Sequence, residues 1–235
     1  ICIDSKQLRN LTAEDLKISG DIMQLYIPRR NGKKGRLKKA AKQIAIMINK
    51  ESSDETNIFR QYTSIIFFAV GECGLFAVNI PEYLEENRTI RIVTIATPFF
   101  GTHMADIKYV KKRTSFFERK EQYKILSKIY HLPDKELSEH SEMLLKVDGE
   151  MLKRHRWFNF ISTTENMSNF AHKVFGADLS DGIIPTDSQD PESENVNRKI
   201  YMEVSHEEVL LEAIRYFNRA LYDNALLQPI VHFKG

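Results

Sequence analysis

The residue best placed for nucleophilic chemistry is Cys73, in the run Val70-Gly71-Glu72-Cys73-Gly74-Leu75. An apolar stretch leads into a glycine, a thiol and a second glycine, and a helical stretch follows. A strand that turns sharply into a helix lifts a side chain clear of the sheet, and small neighbours let the strained backbone close. The helix N-terminus then favours developing negative charge and the thiolate. The plainer reading of Cys73 is a small buried hydrophobe at a strand end. Asp181, in Ser180-Asp181-Gly182-Ile183-Ile184-Pro185, and His206, in Val204-Ser205-His206-Glu207, come later in the chain. Alone, Asp181 reads as the turn residue of an Asp-Gly pair and His206 as a helix-entry residue. Together they follow the chain order nucleophile, acid, histidine. Their separation of 25 positions suffices for one loop, one strand and a return to the same sheet edge.

The elements that must position these groups alternate. Ser64 to Val70 is a continuous apolar run, the pattern of a strand buried on both faces. A helix is expected from about Gly74 to Glu86, carrying Pro81, and then a second buried run from Ile90 to Ala96. Strands are also expected at Asp21 to Pro28, Trp157 to Ser162 and Lys199 to Val204. Apolar residues at 37, 40, 41, 44, 45 and 48 mark a helix over Gly35 to Asn49, and Glu207 to Tyr222 reads as a closing amphipathic helix. Thr12 and Asp15 carry the signature of a helix start. Strand, helix, strand alternation points to parallel βαβ units.

With Thr94-Ile-Ala-Thr97-Pro98-Phe-Phe-Gly101-Thr102 added, the blocks form an ordered set. At this point the chain resembles the lipase and esterase branch of the α/β-hydrolase superfamily. That branch reads G-H-S-x-G-G, T-x-x-T-P-x-x-G-[ST], D-G-[VI]-[VI]-P and S-H in this order, and the matching blocks run from Ser64 to Tyr222, about two thirds of the chain. The resemblance implies that Asp181 orients His206 and that His206 is the general base for residue 73, with the Gly74 N–H as one oxyanion donor. It also implies one α/β-hydrolase-like domain over residues 1–235, with a mostly parallel sheet and helices on both faces. A helical lid-like insertion is expected at 103–156.

The departures are equally specific. Cys73 stands where the branch has Ser, as in the Cys, His, Asp set of dienelactone hydrolases, which this arrangement resembles. Glu72 replaces His, placing a carboxylate beside the thiol, and Leu75 stands where the branch keeps Gly. Asp4-Ser5 follows the short Ile1 to Ile3 segment where a His-Gly oxyanion loop is expected, so no second oxyanion donor is identified. Two functions therefore compete. One is an acyl hydrolase of esters or thioesters through Cys73, His206 and Asp181; the other is a degenerate hydrolase serving as a binding or interaction module.

Composition bounds the rest. With 42% hydrophobic and 28% charged residues over 235, the chain is globular rather than disordered. Two cysteines exclude a disulfide scaffold, and the seven histidines show no metal-ligand spacing, so no cofactor or metal is expected. The net charge of +2 conceals a basic run at Arg29, Arg30, Lys33, Lys34, Arg36, Lys38, Lys39 and Lys42. It marks an anionic membrane surface as a candidate partner beside an acyl ester or lipid-like substrate, although a helix showing lysines to water needs no partner. No G-x-x-x-x-G-K-[ST] accompanies it, and nucleic acid is not expected as a partner. The lid-like segment repeats the theme, with Lys108, Lys111, Lys112, Arg113, Arg119 and Lys120 around Tyr109, Phe116, Phe117 and Tyr123. No apolar run reaches the ~20 residues that span a bilayer. No signal-like segment is found either, and the chain starts at Ile1 without Met. The expectation is a soluble, cytoplasmic or membrane-peripheral fragment or processed chain that lacks its first strands.

Overall fold

A computed structural model describes residues 2–3, 12, 14–15, 23–25, 36–53, 62, 64–84, 89–118, 120, 156–191, 196 and 198–222. Six strands make one sheet: β1 (Cys2–Ile3), β2 (Gln24–Leu25), β3 (Ser64–Val70), β4 (Thr89–Ile95), β5 (Arg156–Thr163) and β6 (Arg198–Glu203). They lie in the order β2-β1-β3-β4-β5-β6 and every pair is parallel. One line of register crosses most of it, Cys2 to Phe68 to Val93 to Phe158 to Arg198. The helices are α1 (Arg36–Ser53), α2 (Cys73–Asn79), α3 (Ile107–Arg113), α4 (Asn169–Phe175), α5 (Thr186–Gln189) and α6 (Val209–Tyr222).

Side-chain alternation along the strands builds two separate cores. Ile65, Phe67 and Ala69 of β3, Ile90 and Ile92 of β4 and Trp157 of β5 face a core shared with α1, α2 and α4. Phe68, Val70, Val93, Ile95, Phe158, Phe160 and Ile200 face the opposite way, against Val209, Ala213 and Phe217 of α6. Parallel strands need helical crossovers, and these cover both faces, which is why β3 and β4 are mostly apolar on both faces rather than alternating. Phe68 and Phe217 meet edge to face at 5.8 Å across the second core, and burying each ring is worth about 2–3 kcal/mol. On α1, Leu37, Ala41, Ala45 and Ile48 are buried while Lys38, Lys39 and Lys42 face water.

Two expectations change. The helix after β3 stops at Asn79 and continues only as a 3-10 turn at Ile80–Tyr83, because Pro81 has no N–H for the α-helical ladder. Helices α4 and α5, short and lacking a long apolar period, were not expected between β5 and β6. The capping pair at Thr12 and Asp15 forms, with Asp15 Oδ2 accepting from the Thr12 N–H at 2.8 Å and hydroxyl at 2.7 Å. The body of any helix beyond it lies outside the described residues. The same holds for residues 121–155 of the lid-like insertion and for Arg29, Arg30, Lys33 and Lys34. Within the described part of that insertion, α3 is capped by the Asp106 carboxylate, Arg113 stacks on Tyr109 at 3.6 Å, and Phe116 and Phe117 are 67% and 78% exposed. Among the described residues no helix is long and apolar enough to cross a membrane.

Candidate active site

Beyond the carboxyl end of β5, a loop brings Asp181 back against the sheet, and beyond β6 a turn carries His206. Both side chains are buried, at 1% and 2% exposure. His206 Nδ1 lies 2.7 Å from Asp181 Oδ2, and the His206 main-chain N–H donates to the Asp181 carbonyl oxygen at 2.9 Å. One bond holds the ring, and the other holds the main chain that carries it. A carboxylate only accepts, so Nδ1 carries a proton, and in the neutral ring the lone pair belongs to Nε2, on the side away from Asp181. That is the tautomer of a general base.

The Asp181 carboxylate is fully engaged. Its Oδ1 accepts from the N–H groups of Ile183 at 3.0 Å and Ile184 at 2.8 Å, and Oδ2 accepts from the Ser162 hydroxyl at 3.0 Å as well as from His206. Four acceptances are the capacity of a carboxylate. Behind it a buried polar network runs into the sheet. Gln189 Oε1 accepts from the Ser162 N–H at 2.8 Å, and the Gln189 carbonyl accepts from Asn159 Nδ2 at 2.7 Å. Thr94 Oγ1 then donates to Asn159 Oδ1 at 2.8 Å and accepts from Trp157 Nε1 at 2.8 Å. The acid is therefore tied to β4 and β5 rather than hung on a loop, which holds its geometry. Sequence reading missed Ser162, Gln189, Asn159 and Thr94 as supports. The one available signal was polar residues inside otherwise apolar strands.

The turn that carries His206 is closed by the Glu208 half of a capping box. Glu208 Oε2 accepts from the Ser205 hydroxyl at 2.7 Å and from the Ser205 N–H at 3.2 Å, and the Ser205 carbonyl accepts from the Val209 N–H at 3.0 Å. The Ser205 bonds hold the Glu208 carboxyl below its ordinary value. Ser205-His206-Glu207-Glu208 thus forms the turn that leads into α6 and carries His206.

The strand-to-helix turn differs from expectation. Its left-handed residue is Gly71, at φ +58°, whereas Glu72 is helical at φ −58° and ψ −23° and Cys73 is the first residue of α2. The strain expected at Cys73 falls two residues earlier, where a glycine carries it without a Cβ clash. A Cβ placed on Gly71 would lie 4.0 Å from Cε1 of His206, with no other contact within 4 Å among the described residues. The Cys73 side chain, 1% exposed, packs in the core shared with α1, α2 and α4. Gly74, expected to offer its N–H to an oxyanion, gives it instead to the Gly71 carbonyl at 3.0 Å. Its reason for being glycine is contact: a Cβ there would stand 1.9 Å from Thr97 Oγ1.

Fold and site together define an α/β protein with a parallel sheet and a buried acid–histidine pair beyond the carboxyl ends of its strands. Compared with protein-family models and with curated proteins, the chain matches none.

Proposed function

We propose that this chain is an α/β-hydrolase-like domain that keeps the acid and histidine of an acyl-hydrolase triad and lacks a nucleophile where they point. It acts as a binding or interaction module for an acyl ester or lipid-like ligand. The observation that carries this reading is that the His206 ring faces the space where Gly71 has no side chain, a Cβ there falling 4.0 Å from His206 Cε1, while the thiol of Cys73 is packed in the core. The sheet order supports the choice of crevice. The order in which strands are added reverses between β1 and β3, and ligands of doubly wound sheets bind outside the carboxyl ends of the strands at that switch point. Gly71 stands there.

The test is turnover. Wild type and Cys73→Ala are assayed on short- and long-chain p-nitrophenyl esters and on acyl-CoA thioesters. The expected result is no hydrolysis above buffer for either protein. Turnover by wild type that disappears in Cys73→Ala would overturn the reading and establish a working Cys73, His206, Asp181 set.

A further inference from the structure

We infer that residue 71, rather than residue 73, is the seat of the missing attacking group, and that a hydroxyl supplied there is activated by His206 against carboxylic esters. The inference rests on the proposed function, since it takes the site to be complete except for its nucleophile. Three observations carry it.

The first is the turn. Strand β3 ends at Val70 and α2 begins at Cys73, so Gly71 and Glu72 make the whole connection, and only Gly71 has the left-handed backbone. A nucleophile raised from such a connection sits at the sharp point of the strand-to-helix turn. The second is direction. From the position a Cβ would take on Gly71, the one described atom within 4 Å is Cε1 of His206, at 4.0 Å. Cε1 is bonded to Nε2, so an oxygen one bond beyond that Cβ, in the rotamer turned toward the ring, approaches the base. The third is the sequence around the turn. With residue 71 at the apex, Ala69 and Cys73 become the small residues two before and two after it, and Gly74 follows as the close-packed glycine against Thr97. Leu75 then falls outside the turn and needs no special explanation.

The chemistry balances without a cofactor. The hydroxyl of Gly71→Ser attacks the ester carbonyl carbon as its proton passes to His206 Nε2. The carbon–oxygen bond to the leaving group then breaks, and the alcohol departs with that proton. Water attacks the acyl group, again giving a proton to His206; the carboxylic acid leaves and the proton returns to the serine oxygen. Asp181 holds the imidazole through both halves.

The experiment compares Gly71→Ser, Gly71→Ala and Gly71→Ser/His206→Ala with wild type, using p-nitrophenyl acetate and a fluorophosphonate probe. Gly71→Ala carries the same backbone strain without the hydroxyl. Gly71→Ser is expected to turn over p-nitrophenyl acetate about 100-fold faster than Gly71→Ala. It should also take one fluorophosphonate at residue 71, with loss of fluoride, while the His206→Ala double variant falls to the Gly71→Ala level. A folded Gly71→Ser that stays unlabelled and no faster than Gly71→Ala overturns the inference and leaves the proposed function standing. Cys73-dependent turnover by wild type would instead sink the proposed function. Should Gly71→Ser not fold, the same seat is probed in wild type by methanolysis of p-nitrophenyl acetate to methyl acetate. Acceleration over His206→Ala supports the inference, and equal rates overturn it.

Discussion

Asp181 and His206 are joined twice, side chain to side chain at 2.7 Å and main chain to main chain at 2.9 Å. The first bond orients the imidazole, and the second anchors the main chain from which it projects. Because the Asp181 carboxylate also takes Ile183, Ile184 and Ser162, any movement of the ring must disturb a network that reaches β4.

This engagement predicts a stability cost for Asp181→Asn. The amide would turn an NH2 toward at least one existing donor, leaving buried groups unpaired, and about 2–3 kcal/mol of folding free energy should be lost. Urea unfolding measures it, with Asp178→Asn, an exposed neighbour, as a control expected to stay within about 0.5 kcal/mol. Equal midpoints for the two variants would show that the carboxylate is not held as described.

Gly74→Ala should be among the costliest single-methyl additions in the fold. Its Cβ would meet Thr97 Oγ1 at 1.9 Å, Cγ2 at 2.7 Å and Cβ at 2.8 Å, so α2 must move away from the end of β4. A loss of about 2–3 kcal/mol is expected from overpacking. Thr97→Ala removes two of the three clashing atoms. The double variant should therefore lose less than the sum of the two single losses. Strict additivity in thermal or urea melts would contradict the contact.

Cys73 should behave as a core residue. In a Cys2→Ser background, its thiol is expected to ignore a disulfide reagent such as dithionitrobenzoate in native buffer and to react at once in urea. Rapid reaction in the folded protein would place the thiol in the crevice instead of the core.

Two exposed carboxyls should titrate below their ordinary range. Bonds from Lys173 and from the Ser115 N–H and hydroxyl hold Glu118 down at about 2, and bonds from the Ser205 hydroxyl and N–H lower Glu208. A lowered folded value means that each contribution to stability is complete above the unfolded value, near 4.5, and is lost as pH falls through the folded one. Carboxyl NMR titration is expected to return Glu118 toward 4.5 in Lys173→Ala. In Ser205→Ala, where the cap of α6 is lost, Glu208 should rise and stability should fall by about 1 kcal/mol. An unchanged Glu208 midpoint in that variant would count against the capping box.

The sequence by itself determined the strands and the acid–histidine pair. A continuous apolar run at Ser64 to Val70 and a buried run at Ile90 to Ile95 fit between two helical layers, and the helix-entry position of His206 is set by bonds between Ser205 and Glu208. Such signals are short-range or one-dimensional, and the chain carries them openly. The partners of Asp181 were not legible, because Ser162 and Gln189 reach it only after β5 and α5 have docked, and no spacing announces that. The turn after β3 was the decisive case. Glycines at 71 and 74 flank a thiol in the chain, and the residue types point to Cys73. Which of these residues the left-handed turn would fall on depended on where β3 stopped pairing with β4 and on how closely α2 pressed against Thr97. Only the packed structure decided that, and it put a glycine in front of His206 and the thiol in the core.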